Sequence, residues 1–287
     1  MTRQPVLAQH AEELLGSAVV ATAPLAGGDT SSATKLRLSD GTTAIMKTHA
    51  HPPAGFFECE ASGLRWLAEA DGVPVPEVLA VDEDCLILRW VEAGKASADA
   101  AVAFGQSLAA THAAGAPSYG GETDGFISKL PLPNTPCDSW AEFYAVRRVL
   151  PYLKLARDRG AIGETEAAIV ESVIGKLTAL LPEEPPARLH GDLWNGNVLW
   201  GADGHAWLID PAAHGGHRES DLAMLQLFGC PHLDEVLRGY ESVAPLADGR
   251  LDRVGLHQMF PLLVHAVLFG RGYAEQALST AKAALER

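Results

Sequence analysis

A chain of 287 residues, with 47% hydrophobic and 20% charged side chains, can bury a sizeable core, and this composition excludes a disordered or fibrous protein. Its net charge of −14, from 36 acidic and 22 basic residues, argues against binding to the phosphate backbone of a nucleic acid. No stretch has the roughly 20 apolar residues that span a bilayer, and the start does not resemble a signal peptide. Together with four scattered cysteines, these features favour a cytoplasmic protein.

The first 92 residues have the pattern of a β-rich unit with one substantial helix. Residues 6–15 can form a short amphipathic helix, and residues 21–50 read as strand, glycine turn, strand, Asp-Gly turn, strand. Apolar residues at helical spacing predict a helix over 56–70. Residues 73–91 supply two more strands around an acidic turn.

The rest of the chain changes to alanine-rich helices. Only residues 197–200 and 207–210 have the pattern of strands, and they are predicted to form a hairpin. The stretch 119–137 is polar and rich in proline and glycine, which predicts a loop outside the core. The sequence therefore predicts an α+β protein with a small N-terminal lobe, 1–92, and a larger, mainly helical C-terminal lobe, 93–287.

One short motif carries the strongest chemical signal. Residues 190–197 read HGDLWNGN and match the spacing H-x-D-L-x-x-x-N of a kinase catalytic loop, with glycine in place of arginine. In that chemistry Asp192 accepts the proton of the attacking hydroxyl, and Asn197 holds a metal ion against the phosphates. Asp210, at the end of the next predicted strand, is the expected second metal ligand. An amide oxygen and a carboxylate are ligands suited to Mg²⁺.

The N-terminal lobe supplies matching candidates for ATP binding. Gly27 and Gly28 permit a tight turn whose backbone amides can approach a phosphate. Lys47 ends a predicted strand, as does the kinase lysine that pairs with the α- and β-phosphates, and Glu60 on the next helix is its expected ion-pair partner. Each feature is weak alone, but together they follow the order that a kinase requires.

Three side chains near the catalytic loop have other predicted roles. Asp221 opens a predicted helix and is expected to brace the backbone of the loop rather than contact substrate. His217 shows no spacing typical of a zinc site, and we expect it to form hydrogen bonds or to line the substrate site. Trp194, inside the motif, is predicted to be exposed to substrate.

With these motifs the sequence resembles the fructosamine kinase family, a branch of the aminoglycoside and choline kinase-like group, over nearly its whole length. HGDLWNGN is similar to the family's HGDLWxGN, including the tryptophan, and residues 210–224 resemble its DPxxxxGxxExDLAM segment. Residues 123–151 resemble a third family signature. The matching positions in it are Asn134, Trp140, Phe143 and Arg147.

The resemblance implies a bilobal protein-kinase-like fold and an ATP-dependent, Mg²⁺-assisted kinase. In the family, phosphorylation falls on the sugar 3-hydroxyl of a fructosamine or ribulosamine and repairs glycation. The resemblance also implies adenine contacts from the backbone around Trp90 and Val91. Residues 125–128 read GFIS where the family has Asn-x-Ile-Gly, and Leu132 replaces a glutamine, so the preferred sugar stays open.

Two alternatives are kept. An aminoglycoside or other amino-alcohol phosphotransferase would use the same ATP machinery, and an acidic surface would suit a polycationic substrate. A nucleotide-binding pseudokinase would be expected to lack one of Lys47, Asp192, Asn197 or Asp210, and all four are present. The sequence carries no prediction of oligomeric state or of whether the amine is free or protein-bound.

Overall fold

A computed structural model describes residues 3–26 and 31–286 of the chain. The glycine turn predicted at Gly27 and Gly28 lies outside the described residues. Within them, no helix is long and apolar enough to cross a membrane.

The N-terminal lobe is a five-stranded antiparallel sheet in the order β1-β2-β3-β5-β4. Its strands are β1 Val19–Leu25, β2 Ser32–Leu38, β3 Thr43–Thr48, β4 Val78–Val81 and β5 Cys85–Arg89. The predicted Asp-Gly turn joins β2 to β3, and Gly41 takes the positive φ of +89° that such a turn requires.

Two helices flank this sheet, α1 (Arg3–Leu15) and α2 (Phe56–Ala68). The buried residues of α2 recur at helical spacing and pack on Leu86 and Leu88 of β5. Ala11 of α1 packs against a second cluster that includes Ile87, the intervening residue of the same strand. Both faces of the sheet are therefore covered, and the helix predicted over 56–70 is confirmed.

The C-terminal lobe consists mainly of helices. They are α3 Ala98–Ala113, α4 Trp140–Phe143, α5 Leu150–Asp158, α6 Glu164–Ile174, α7 Leu177–Leu180, α8 Glu219–Phe228, α9 Leu233–Val243, α10 Arg250–Phe269 and α11 Arg271–Leu285. A π-helical turn, Tyr144–Val149, connects α4 to α5. The boundary predicted between residues 92 and 93 falls in the segment that connects β5 to α3, and it stays a prediction.

Three two-stranded pairs complete this lobe. They are β6 (Gly125–Ile127) with β7 (Leu130–Leu132), β8 (Ala187–Leu189) with β11 (His214–Gly216), and β9 (Val198–Trp200) with β10 (Ala206–Leu208). The last pair is the predicted hairpin. The expectation of only two strands here was wrong, and so was the exclusion of residues 119–137 from the core, because Ile127, Leu130 and Leu132 are buried.

Helices α3 and α9 touch backbone to backbone. A Cβ on Gly105 of α3 would overlap the carbonyl oxygen of Val236, and a Cβ on Gly239 of α9 would overlap that of Val102. Because neither glycine has a side chain, the two helices approach closely enough for His112 Nδ1 to lie 2.9 Å from the hydroxyl of Tyr240. This pair of helices supports the catalytic loop described next.

Candidate active site

An ion cluster joins the two lobes. Lys47 Nζ on β3 lies 2.6 and 2.7 Å from the two carboxylate oxygens of Glu60 on α2. The same ammonium lies 2.9 Å from Asp210 Oδ1, just beyond β10. Burial alone would lower the pKa of Lys47, but the charges of Glu60 and Asp210 outweigh it and hold the pKa above its ordinary value. The predicted ion pair is therefore present, and it places the lysine charge beside Asp210.

The catalytic loop begins directly after β8. Gly191 has φ of +83°, and a Cβ there would overlap the carbonyl oxygen of Ala212, so glycine suits this position where the kinase motif has arginine. A 3₁₀ turn, Asn195–Asn197, then leads into β9. Asn197 Nδ2 donates to the carbonyl oxygen of Asp192 at 2.8 Å and to its Oδ2 at 3.1 Å, which fixes the carboxylate on the loop.

Asp221, in the first turn of α8, braces this loop as predicted. Its Oδ2 accepts from the N–H of His190 at 2.8 Å, and its Oδ1 accepts from the N–H of Gly191 at 3.0 Å. His112 Nε2 lies 3.2 Å from Oδ2. Burial alone would raise the pKa of Asp221, but these hydrogen bonds hold it below its ordinary value. A buried anion therefore fixes the two residues that precede Asp192.

The environment of Asp192 suits a base at neutral pH. Burial, with the charges of Asp210 and Asp221 adding to it, raises the pKa of Asp192 to about 7, against the opposing hydrogen bond from Asn197. A general base works best when its pKa lies near the operating pH. His190 is fully buried, with Nε2 2.9 Å from the carbonyl oxygen of Ile209, and burial lowers its pKa, so the ring is neutral.

The candidate residues meet in one cavity of about 580 Å³ between the lobes. On the N-terminal side the apolar side chains of Ala33 and Ile45 line it, with Ile209 on the opposite side. Six residues predicted from the sequence line it together: Lys47, Glu60, Asp192, Trp194, Asn197 and Asp210. The cavity continues into the helical lobe, where aromatic side chains and histidines surround it.

Trp194 lies at the edge of this cavity, and its side chain packs on the loop itself. A Cβ on Gly196 would overlap the indole ring, so glycine at this position lets the ring lie against the loop backbone. The residue is 38% exposed, unlike Trp200, which is buried beside Phe104. Exposure of Trp194 is thus confirmed, and contact with substrate stays a prediction.

Trp90 and Val91 lie beyond β5 and line a second, smaller cavity of about 370 Å³ instead of the main one. The N–H of Trp90 donates to the carbonyl oxygen of Thr43 at 3.0 Å, so it is not free to bind adenine. The N–H of Val91 makes no hydrogen bond within the described part of the chain. Adenine binding by the backbone around Trp90 and Val91 stays a prediction, with the Trp90 N–H excluded as a donor.

His217 does not line the main cavity, and its predicted contact with substrate is corrected. Its side chain has no exposed surface, and its ring lies 4.8 Å from that of His257. The N–H of Glu219 donates to His217 Nδ1 at 3.2 Å, and the Glu219 carboxylate is paired with Arg253 at 2.6 Å. Burial lowers the pKa of His217 to about 3, so it is a neutral core residue.

Comparison with known proteins identifies the family. The sequence model of the fructosamine kinase family, described as "Fructosamine kinase", matches residues 4–287. The chain belongs to the fructosamine kinase family. The crystal structure of a candidate fructosamine-3-kinase from Thermobifida fusca is 48% identical, with a TM-score of 0.93 over 98% of this chain and 99% of that chain. A probable ketoamine kinase from Synechocystis is 37% identical over 234 residues, 80% of this chain and 78% of that protein.

A more distant structure shows the fold alone. The streptomycin–ATP ternary complex of APH(2")-IIa is 12% identical and superposes with a TM-score of 0.66 over 98% of this chain and 97% of that chain. The protein-kinase-like fold predicted from the sequence is thereby confirmed for this fructosamine kinase family member.

The family member also has site residues that the sequence did not single out. Arg148 is buried, whereas the neighbouring Arg147, which matches the family signature, is partly exposed. Arg148 donates to Asn134 Oδ1 at 2.6 Å and lines the cavity. On α10, His257 and His265 also line it. Their spacing of eight residues, slightly more than two helical turns, was an available signal, because it places both within one broad stripe of a helix.

The oxygen atoms near Asp192 fit the magnesium ion that the family implies. Asn197 is buried, its Nδ2 is used by Asp192, and its Oδ1 accepts no hydrogen bond within the described residues. Asp210 is about half-exposed at 49%, with only Oδ1 paired to Lys47. An amide oxygen and a carboxylate oxygen are hard ligands, so this donor set suits Mg²⁺ rather than a thiophilic metal.

Proposed function

We propose that the protein is an ATP-dependent kinase that phosphorylates a sugar hydroxyl, the 3-hydroxyl, of a fructosamine or ribulosamine. The observation that carries this proposal is the meeting of two groups in one cleft. One is the Lys47 ammonium with Glu60 and Asp210, and the other is the Asp192 carboxylate held by Asn197. The product would be labile, and its formation would serve the repair of glycated amines.

On the nucleotide side, different residues would bind the adenine ring, the phosphates and Mg²⁺. Ala33 and Ile45 offer an apolar surface for adenine, and the N–H of Val91 is the candidate donor to the ring. Lys47, held in place by Glu60, directs its charge toward the α- and β-phosphates. Mg²⁺ at Asn197 and Asp210 would neutralise charge on the phosphates during transfer.

On the acceptor side, Asp192 takes the proton of the attacking hydroxyl. Because its pKa is about 7, the carboxylate is partly ionised at neutral pH and basic enough to attract that proton. The hydrogen bond from Asn197 Nδ2 to Oδ2 limits rotation of the carboxylate and thus aims it at one hydroxyl.

The inner wall of the cavity suits a hydroxyl-rich acceptor. Trp140 Nε1 and Arg148 Nε are buried donors that have no hydrogen-bond partner among the described residues, and both side chains line the cavity. A buried polar group without a partner costs about 1–3 kcal/mol, so a ligand that supplies oxygen atoms is favoured there. Burial lowers the pKa of Arg148 to about 9, so it keeps its charge at neutral pH.

Charge disfavours an aminoglycoside substrate. Among the described residues, the acidic side chains that line the cavity are Glu60, Asp192, Asp210 and Asp221. Each has a role in the ATP machinery or in bracing the loop, so no additional carboxylate is present for a polycation. A ketosamine carries one ammonium group on the sugar and does not need an additional carboxylate in the cavity. A pseudokinase is disfavoured because Lys47, Asp192, Asn197 and Asp210 are all present and line the same cavity.

The test is ADP release by the purified protein with ATP, Mg²⁺ and one of three acceptors: a ribulosamine, the fructosamine of the same amine, or streptomycin. We expect turnover of at least one ketosamine, none of streptomycin, and phosphate on C3 of the product by NMR. Asp192→Asn serves as the inactive control. Turnover of streptomycin with none of either ketosamine would overturn the proposal.

A further inference from the structure

Five aromatic rings form a contiguous cluster at the edge of the cavity, here called the aromatic shelf. Its members are Trp194, Phe228, His265, Phe269 and Tyr273. Ring centroids lie 6.2 Å apart for Trp194 and Phe228, and 4.8 Å for Phe228 and His265. His265 lies 5.5 Å from Phe269 and 5.0 Å from Tyr273. These spacings fall in the range of aromatic contacts, so the rings form one surface.

The shelf is continuous with the catalytic site. Trp194 is two residues beyond Asp192, and Trp194, His265 and Phe269 line the same cavity as that carboxylate. The catalytic loop, the end of α8, the last turns of α10 and the start of α11 contribute the residues of the shelf. Its position is therefore set by four separate segments that converge at one edge of the cavity.

The shelf is more exposed than core packing requires. Phe269 is 62% exposed and Trp194 is 38% exposed, whereas Trp140, deeper in the same cavity, is 5% exposed. Single exposed apolar residues are common, but a contiguous apolar surface beside a cleft is typical of a binding site. Phe269 is also the last residue of α10 and is followed by Gly270.

The shelf carries no formal charge. Burial lowers the pKa of His265, whose Nδ1 lies 2.8 Å from the carbonyl oxygen of Pro261, so its ring is neutral at pH 7. The neighbouring lining residues Val264 and Leu268 are apolar. A charged substituent would find no counter-charge on this surface, whereas a broad apolar group would find extended contact.

We propose that the aromatic shelf binds the substituent on the amine of the ketosamine and that the protein prefers aromatic or similarly broad apolar substituents. The inference rests on the proposed function. When a sugar hydroxyl lies at Asp192, Lys47 and Asp210 close the cavity on the nucleotide side, and the buried Arg148 closes it on the interior side. The amine substituent then leaves the cavity past Trp194 and Phe269.

The experiment compares two ribulosamines that share the same sugar, one made from benzylamine and one from methylamine. Aromatic contacts contribute about 0.5–1.5 kcal/mol, so we expect wild-type kcat/KM to favour the benzylamine adduct by about twofold to tenfold. In Phe269→Ala the ratio should fall toward one, and Phe269→Trp should restore it. Because Phe269 is largely exposed, Phe269→Ala should retain a normal melting temperature.

Leu251→Ala is the matched control. Leu251 is 73% exposed at the opposite end of the same helix, about 27 Å away at 1.5 Å per residue, and it does not line the cavity. That variant should keep the wild-type ratio. Equal kcat/KM for the two adducts in wild type, or an unchanged ratio in Phe269→Ala, would overturn the inference alone. A lysine-derived adduct preferred over the benzylamine adduct would also overturn it. No turnover of any ketosamine would overturn the proposed function and the inference with it.

Discussion

Replacing Asp221 by asparagine tests how the catalytic loop is held. The variant keeps the shape of the side chain but turns one acceptor oxygen into an N–H donor. The two N–H groups of His190 and Gly191 then face one remaining oxygen, and His112 loses its anionic partner. A lost hydrogen bond to a charged group costs about 1.5–3 kcal/mol, and a buried N–H left without an acceptor costs about 1–3 kcal/mol. These costs overlap, so we expect the free energy of unfolding to fall by about 2–4 kcal/mol.

Urea unfolding followed by tryptophan fluorescence measures this loss. Asp99→Asn is the matched control, because Asp99 also lies in the first turn of a helix, α3, but is exposed. At a temperature where the Asp221→Asn protein is fully folded, kcat should still fall, by about tenfold or more, because small displacements of a catalytic group are costly. An unfolding free energy equal to that of wild type would refute the bracing role. Lower stability with unchanged kcat would show that Asp221 supports the fold without positioning Asp192.

Further expectations concern the catalytic base, the metal ligands and acid stability. Asp192→Asn should stay folded and bind ATP, but its kcat should fall by a factor of about 10² to 10⁴. If the variant retained more than a tenth of wild-type kcat, Asp192 would not be the general base. Asp210→Ala should be inactive at any Mg²⁺ concentration, whereas Asn197→Ala should regain part of its activity in excess Mg²⁺; identical Mg²⁺ titrations of both variants and wild type would contradict the assignment. Burial lowers the pKa of His214 and of His217 to about 3, so the unfolded chain binds their protons first. Unfolding free energy should therefore fall as pH drops below about 6.5, by up to about 1.4 kcal/mol per pH unit for each histidine, and urea midpoints of His217→Gln should show a shallower slope.

The residues of the candidate site could be predicted because the sequence pattern that marks each of them is local. Asp192 and Asn197 occur at a fixed spacing within one loop, and Asp210 follows a hairpin only a few residues later. Lys47 and Glu60 lie on adjacent elements whose strand and helix patterns are readable from the sequence. Each of these positions depends on short-range structure, which a single sequence specifies well.

The features that the sequence analysis missed have a different cause, because each of them depends on contacts between segments that are distant in the chain. Leu189 of β8 pairs with His214 of β11, and strands of three residues show no periodicity by which such a pairing could be found. Burial of His217 depends on helices that meet around it in three dimensions. Arg147 and Arg148 are adjacent and identical in type, so only the packed structure shows that Arg148 lies inside.

The close contact of α3 and α9 limits how the protein can be engineered for heat resistance. Exchanging helix glycines for alanine is a common route, because glycine costs a helix roughly 0.5–1 kcal/mol relative to alanine. At Gly105 and Gly239 the exchange would drive the helices apart and disturb the support of the catalytic loop. Gly255 on α10 is the suitable position instead, because an added Cβ there would lie 3.4 Å from the Thr280 side chain on α11, an ordinary packing distance. A thermostabilised enzyme should therefore carry alanine at position 255 and keep both glycines at the crossing of α3 and α9.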